Sequence, residues 1–262
     1  MKVRRSDRLI DMTSYFLNNP HKLVSLTYFA KRYESAKSSI SEDLAIIKRT
    51  FNVRGIGVLE TIPGAAGGAR FIPSIGEEEA ERFIWEMAAE LSQENRLLPG
   101  GYVYLSDLLG KPEVLRHVGR LIARQYMGRQ VDAIMTVATK GVPIAQSVAY
   151  YMNAPFVIVR RDSKITEGST QRIEKMELSK RSLRRGSHVL VVDDFMKGGG
   201  TINGMKSMIE EFDSELVGVT VFAEGVVDEG SRLIEDYTSL LKVDNVNTLN
   251  KTIHVSAGNY LA

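Results

Sequence analysis

The chain has 262 residues, enough for one or two domains, and is 44% hydrophobic and 25% charged, the mix of a soluble globular protein. It contains no cysteine, which excludes disulfides and thiolate metal sites, and no apolar run reaches the roughly 18 residues of a membrane span. The net charge of +2 hides an asymmetry: residues 1–73 carry 12 Lys and Arg against 6 Asp and Glu, and the remainder 22 against 26. A basic quarter on an acidic body predicts a polyanion-binding module joined to something else, with chance clustering as the alternative. The opening MKVRRSDRLI is charged but lacks the apolar core of a secretory leader, so a cytoplasmic location is expected.

The first 73 residues read as three helices and a hairpin. In SDRLIDMTSYFL (residues 6–17), Leu9, Ile10, Met12, Phe16 and Leu17 fall near one helical face, Ser6 is placed to cap the helix, and Asp7 suits its first turn. A short second helix is expected over residues 26–33. The third lies in SSISEDLAIIKRTF, where Ser39 and Glu42 have capping-box spacing and Ile40, Leu44, Ile47 and Phe51 form one buried stripe. Helices two and three, joined by a tight turn, fit a helix-turn-helix. Residues 58–62 and 69–72 read as strands around a glycine-rich tip, with Arg70 at its base. A helix-turn-helix plus a hairpin is a winged helix, whose third helix enters the major groove with its N-terminal residues foremost. Lys37, Ser38 and Ser39 can then donate to phosphates or base edges, and Arg4, Arg5 and Arg8 are predicted phosphate contacts. The competing reading is a small helical subdomain that docks protein, with Ser38 and Ser39 as plain caps and Lys48 and Arg49 on a solvated face.

Past Pro73 the pattern changes, and residues 74–262 are expected to form a second domain. GEEEAERFIWEMAAEL starts as an acidic helix in which Trp85 packs in the core or at a subunit contact. LLPGGYVYLSDLLGKPEVL is loop-rich. Strands at 131–137, 155–159, 188–192 and 216–222 then alternate with helices at 143–152 and 202–212, which predicts an α/β fold with a doubly wound parallel sheet. Such sheets bind ligands beyond the carboxyl ends of their strands. There, ATKGVP places Thr139, Lys140 and Gly141 before a helix N-terminus, and RRDSK places Arg160, Arg161 and Lys164 at the same edge. Alone, the first is equally an ordinary turn and the second a solvated loop; their convergence strengthens both.

The third strand end reads VLVVDDFMKGGGT. Lys197, Gly198, Gly199, Gly200 and Thr201 form a phosphate cradle that is neither a Walker loop nor G-x-G-x-x-G. Asp193 and Asp194 would repel phosphate unless the ligand also brings vicinal hydroxyls, because an ionised carboxylate only accepts hydrogen bonds. Mg²⁺ carried by the ligand would offset the repulsion. The implied ligand is a ribose 5-phosphate with a second anionic group near Lys140 and Arg160. Met196 completes the motif. Phe195 and Tyr102 are either packing residues or rings that stack on a base.

This motif is similar to the phosphoribosyl pyrophosphate (PRPP) motif of type I phosphoribosyltransferases, and TKG resembles their pyrophosphate loop. With YESAKSSISEDL, PGAAGGARFIP, LLPGGYVYLSDLLGKP, MTVATKG and VIVRRDSKITEGST, essentially the whole chain resembles the bacterial purine operon repressors, a winged helix fused to a phosphoribosyltransferase-like domain. The resemblance implies a homodimeric, non-enzymatic repressor of purine genes that binds operator DNA, without a prosthetic group or membrane partner. PRPP would be its inducing effector, arriving with Mg²⁺, and guanosine tetraphosphate would use the same pocket. An active purine phosphoribosyltransferase with a DNA-binding appendage is the alternative. One departure stands out: Thr170 runs straight into Gln171, where the family carries a longer loop over the pocket.

Overall fold

The computed structural model describes residues 3–64, 67–99, 102–165, 172–179, 182–227 and 230–262, and the junction between Thr170 and Gln171 lies outside them. The first module contains α1 (Arg5–Asn18), α2 (Leu26–Arg32), α3 (Lys37–Val53) and a hairpin of β1 (Gly57–Ile62) and β2 (Gly68–Pro73). Ile40, Leu44, Ile47 and Phe51 are all buried and join Met12, Phe16, Phe29, Leu59 and Phe71 in one apolar cluster. Helix plus wing is therefore the observed form.

Four local expectations are corrected. The buried face of α1 is Arg8, Met12 and Phe16, at a spacing of four, while Ile10 is 70% exposed and Leu17 also reaches solvent. Arg8 can occupy this stripe because Asp43, fully buried on α3, takes its guanidinium at 2.8 Å and also binds Arg5 at 2.8 Å. Arg8 is thus a buried strut between α1 and α3, not the phosphate contact expected. Ser6 does not cap α1, whose N-cap is Arg4. Ser39 does not cap α3 either: the turn closes at Glu34, in the left-handed region, and Ser35, so the helix starts at Lys37 with Ala36 as N-cap.

The body holds a seven-stranded sheet in the order β11-β10-β9-β8-β5-β6-β7. Its strands are β5 (Ala133–Val137), β6 (Phe156–Ile165), β7 (Arg172–Glu177), β8 (His188–Met196), β9 (Glu215–Glu224), β10 (Thr238–Asn247) and β11 (Thr252–Ala257). The five central strands are parallel and the two edge strands antiparallel. Alternation along β5 divides the core: Ile134 faces α4 (Glu77–Leu91), α5 (Pro112–Gln125) and α6 (Val142–Met152), whereas Met135 and Val137 face α7 (Gly200–Glu211). The loop-rich segment contributes a small hairpin of β3 (Leu97–Leu98) and β4 (Tyr102–Val103). Trp85 is 51% exposed on α4, so it is not a core residue. The segment RRDSK is not a loop: β6 runs on through it because β7 pairs with it from Arg160 to Ile165.

Truncating one partner of a buried ion pair leaves the other charge uncompensated, at a cost of about 3–5 kcal/mol. Asp43→Ala is expected to lower the stability of the first module by about that amount, with a matching fall in its urea midpoint. A midpoint within error of the parent would show that Arg8 is not held by this pair.

Candidate functional site

The chain runs from β5 to β6 on one side and returns to β8 on the other, so the β5/β8 boundary is where strand order reverses. Open parallel sheets bind ligands beyond the carboxyl ends of the strands at such a point. Two segments meet there, although the turn after β5 is not part of the lining of the cavity at the Lys197–Thr201 loop. After β5, Thr139 and Lys140 are exposed and Gly141 is buried as the N-cap of α6. A Cβ on Gly141 would lie 2.7 Å from Asp193 Oδ1 and closer still to Thr136 Oγ1. Only glycine lets the α6 turn lie directly on the acid.

On the other side β8 continues through Met196, further than the expected end at Val192, because β9 pairs with it as far as Met196 opposite Glu224. Asp193 and Asp194 therefore stand on a strand, not in the turn. Asp193 is buried and its Oδ1 accepts the Asp194 N–H at 3.0 Å. Asp194 is half-buried; loss of solvent, the largest cause, raises its pKa above the ordinary 3.8, against the opposing charge of Lys140. That opposition places Lys140 within electrostatic reach of the acid pair. Thr136 Oγ1 is buried beside Gly141 without a hydrogen-bond partner, a polar group the sequence reading missed.

The cradle follows. Gly199 is the N-cap of α7 with φ of 81°, a left-handed conformation that favours glycine. A Cβ on Gly200 would meet nothing nearer than Leu233 Cδ1 at 4.0 Å, so the space above the first turn of α7 is open. The uncapped N–H groups of that turn and the helix dipole favour an anion there. An open cavity of about 380 Å³ is lined by Asp193, Phe195 and the Lys197–Thr201 loop, with Met176 and Ile202 at its wall. Met196 closes its floor, with its side chain in the core beneath. Phe195 is half-buried and its ring covers Gly225, so it packs and lines the cavity at once.

The other expected residues are more dispersed. Arg160 is exposed on β6, and the side chains of Arg161 and Lys164 lie outside the described part of the structure. Tyr102 stands 72% exposed on the β3–β4 hairpin and does not line the cavity. Residues 225–227 and 230–233 contribute a wall that was not foreseen: Leu233 N–H donates to Gly198 O at 2.9 Å and Gly225 N–H to Met196 O at 2.8 Å. Arg232 holds this wall by binding Glu224 and the Gly225 carbonyl. The one available signal was Glu224 itself, a lone acid ending an apolar strand. Among the described residues no group of three or more His, Cys, Asp or Glu gathers as a metal site.

In the first module, Lys37 and Ser38 are exposed and Ser39 half-buried on the first turn of α3, whose leading N–H groups have no side-chain cap. Arg4 is exposed. Arg5 is half-exposed but engaged by Asp43 and Glu42, and Arg70 is engaged by Glu60 at 2.6 Å across the wing. Among the described residues no helix is long and apolar enough to cross a membrane.

An acid pair, a glycine-rich turn and a second helix N-terminus at a sheet switch point are the features of a phosphoribosyltransferase-type domain, here preceded by a winged helix. Residues 105–260 match the phosphoribosyl transferase domain family, and residues 4–73 match the family described as bacterial purine repressor, N-terminal. The chain is 55% identical to the probable purine biosynthesis transcriptional regulator PurR of Streptococcus pneumoniae (strain TIGR4), over 99% of this chain and 98% of that one. It is 53% identical to the purine biosynthesis transcriptional repressor PurR of Bacillus subtilis, over 100% of this chain and 95% of that one. It is also 53% identical to the purine biosynthesis transcriptional activator PurR of Lactococcus lactis (strain IL1403), over 98% of each. The chain belongs to the family of bacterial purine biosynthesis transcriptional regulators.

If the cradle binds an anion, Gly200→Val fills it without disturbing the core. Unfolding free energy should stay within about 1 kcal/mol of the parent, as for surface substitutions generally. Ribose 5-phosphate binding, measured by calorimetry, should weaken at least tenfold; unchanged affinity would place the anion elsewhere.

Proposed function

We propose that the protein is a DNA-binding repressor of purine biosynthesis and transport genes whose phosphoribosyltransferase-type crevice is a sensor for PRPP. The observation that carries this reading is the contact of Gly141 with Asp193, which brings an anion-facing helix turn and a pair of hydroxyl acceptors into one crevice. PRPP has that composition: a 5-phosphate for the Lys197–Thr201 cradle, vicinal ribose hydroxyls for Asp193 and Asp194, and a pyrophosphate for the Thr139–Gly141 turn and Lys140. Mg²⁺ would come bound to the pyrophosphate, where it offsets the repulsion between phosphate oxygens and the two acids. Guanosine tetraphosphate offers the same cavity a diphosphate and a base, for which Phe195 is the available ring.

Both a repressor and an activator occur among relatives of equal identity, so membership leaves the direction of control open. Repression with PRPP as inducer is the reading proposed. Positioning a sugar phosphate does not require turnover, and a sensor and an enzyme can share the crevice. Formation of a purine nucleotide from Mg²⁺·PRPP and a purine base would establish the enzyme instead. A cytoplasmic homodimer is part of the proposal, since a regulator of operators must reach DNA; Trp85 and Tyr102 are exposed aromatics suited to a subunit contact.

Asp193→Ala or Asp194→Ala should each remove a charged hydrogen bond to the diol, costing about 1.5–3 kcal/mol, or tenfold and more in PRPP affinity. Acidification should act in the same direction. Because burial raises the Asp194 carboxyl, it gains its proton at a higher pH than an ordinary carboxyl of 3.8, and the protonated form loses an acceptor. PRPP affinity should therefore fall early as pH is lowered, and Asp194→Asn, which cannot titrate, should flatten that decline. Calorimetry across the pH range checks both, and equal profiles for parent and variant would remove Asp194 from the diol.

For DNA, Lys37→Ala should reduce the slope of log affinity against log salt by about 0.9, the value of one lost phosphate contact. Arg8→Met should leave that slope unchanged. A salt series on a purine-gene promoter fragment separates the two; the reverse outcome would overturn the assignment of α3.

A further inference from the structure

Two helices of the body carry the contacts to the DNA-binding module. From α5, Arg120 donates to Gly55 O at 3.0 Å and Ser74 O at 2.9 Å while Glu79 holds its other face at 2.8 Å. Gly55 follows the C-terminal end of α3. Arg124 donates to Ile75 O at 3.1 Å. From α6, Tyr150 OH donates to Leu17 O at 3.3 Å, in the last turn of α1. The Tyr151 backbone lies against the imidazole of His21. His21 has φ of 59°, its N–H donates to Phe71 O at 2.7 Å at the base of the wing, and its Nε2 is buried without a partner. The last turn of α6 thus touches the point where α1, the turn after it and the wing converge.

The first turn of the same helix is Gly141, pressed on Asp193. The eleven residues between span about 16 Å at 1.5 Å per residue. α6 is not free to slide alone. Gly119 of α5 admits it so closely that a Cβ there would lie 2.7 Å from Tyr151 Cδ2, and Ser147 Oγ donates to Leu115 O at 2.6 Å. The pair moves as one body, and both of its helices grip the module. Between module and pair is a cavity of about 310 Å³, bordered by Leu17, Ile56, Phe71, Arg116, Tyr150 and Tyr151. An interface of a few polar contacts beside a solvent-open cleft can adopt a second seating at lower cost than a close-packed one.

We infer that α6 is the element through which occupancy of the crevice changes the seating of the DNA-binding module, with His21 and Tyr150 as the positioning residues at its far end. This rests on the effector-site reading above. A ligand that draws on the Asp193 carboxylate and fills the α6 turn acts on the N-terminus of the helix. Any displacement reaches the module at Leu17 and His21, while Arg120 transmits the accompanying movement of α5 to the end of α3.

The test is a double-mutant cycle on the full chain, read by affinity for a promoter fragment of a purine biosynthesis gene without any effector. Gly141→Ala forces the α6 turn off Asp193. It is expected to change DNA affinity threefold or more in the parent, and by less than about 1.5-fold when His21→Asn and Tyr150→Phe are already present. Equal changes in the two backgrounds would overturn the inference. If Gly141→Ala does not fold, Asp193→Asn, which weakens the same contact without added bulk, takes its place with the same expected outcomes. In parallel, His21→Asn with Tyr150→Phe should leave PRPP affinity by calorimetry within twofold of the parent while shrinking the effect of PRPP on DNA affinity at least threefold; loss of PRPP affinity would mean a general structural defect and would also overturn it. If PRPP does not bind the parent, the effector reading fails on that calorimetry, and the ligand-free cycle still decides the role of α6.

Discussion

The absence of a side chain at Gly141 is the constraint on which the arrangement of the body rests. Because nothing projects there, the turn after β5 can lie against the Asp193 carboxylate and over Thr136. That closeness brings the anion-facing turn and the acid pair into one crevice, although 52 positions of chain separate them. It also orients α6 across the sheet face, and α6 with α5 is the surface on which the DNA-binding module rests. The extension of β8 to Met196 serves the same arrangement, since pairing with β9 holds the two acids on a rigid strand. Gly225 and Leu233 then brace the glycine-rich turn through their bonds to Met196 and Gly198.

Much of this was legible in the sequence wherever a single local pattern settles a single local structure. The stripe of Ile40, Leu44, Ile47 and Phe51 is a helical period with no competing reading, and all four are buried. The glycines after β8 were legible as a turn leading into a helix, and the structure places Gly199 there as the N-cap of α7 in the left-handed region. What was not legible depended on partners distant in the chain. Arg8 looked like surface charge because nothing nearby shows that Asp43 waits, buried, 35 residues on. The end of β8 was misplaced because only β9 keeps it extended, and RRDSK was read as a loop because β7 was not visible as its partner. Ser39 and Glu42 matched a capping box, yet a left-handed residue at Glu34 started the helix earlier. Arg120 sat unremarked on an amphipathic helix, and nothing near it in the sequence shows that its guanidinium reaches Gly55 O, 65 residues back in the other module.

The helices that support the DNA-binding module pack on the sheet whose strand β8 carries the acid pair. Both helices that support the module start near the ligand side of the sheet or pack against one that does, and both end on backbone carbonyls of the module. Fastening by carbonyl acceptors has a particular merit: it fixes position without demanding particular side chains from the partner, so the DNA-reading face can vary while its mounting stays the same.

The internal pairing of the winged helix has its own consequence. Arg5, Arg8, Arg32 and Arg70 are each matched by a carboxylate of the same module, through Asp43, Asp11 and Glu60. Those pairs leave the net charge of the segment nearly as it was, but the cations free to displace counterions from a duplex are fewer than its 12 Lys and Arg. Non-specific attraction to nucleic acid scales with such displaced ions. Pairing inside the module limits the cations that such attraction can draw on, and so leaves more of the discrimination between sites to shape and base edges.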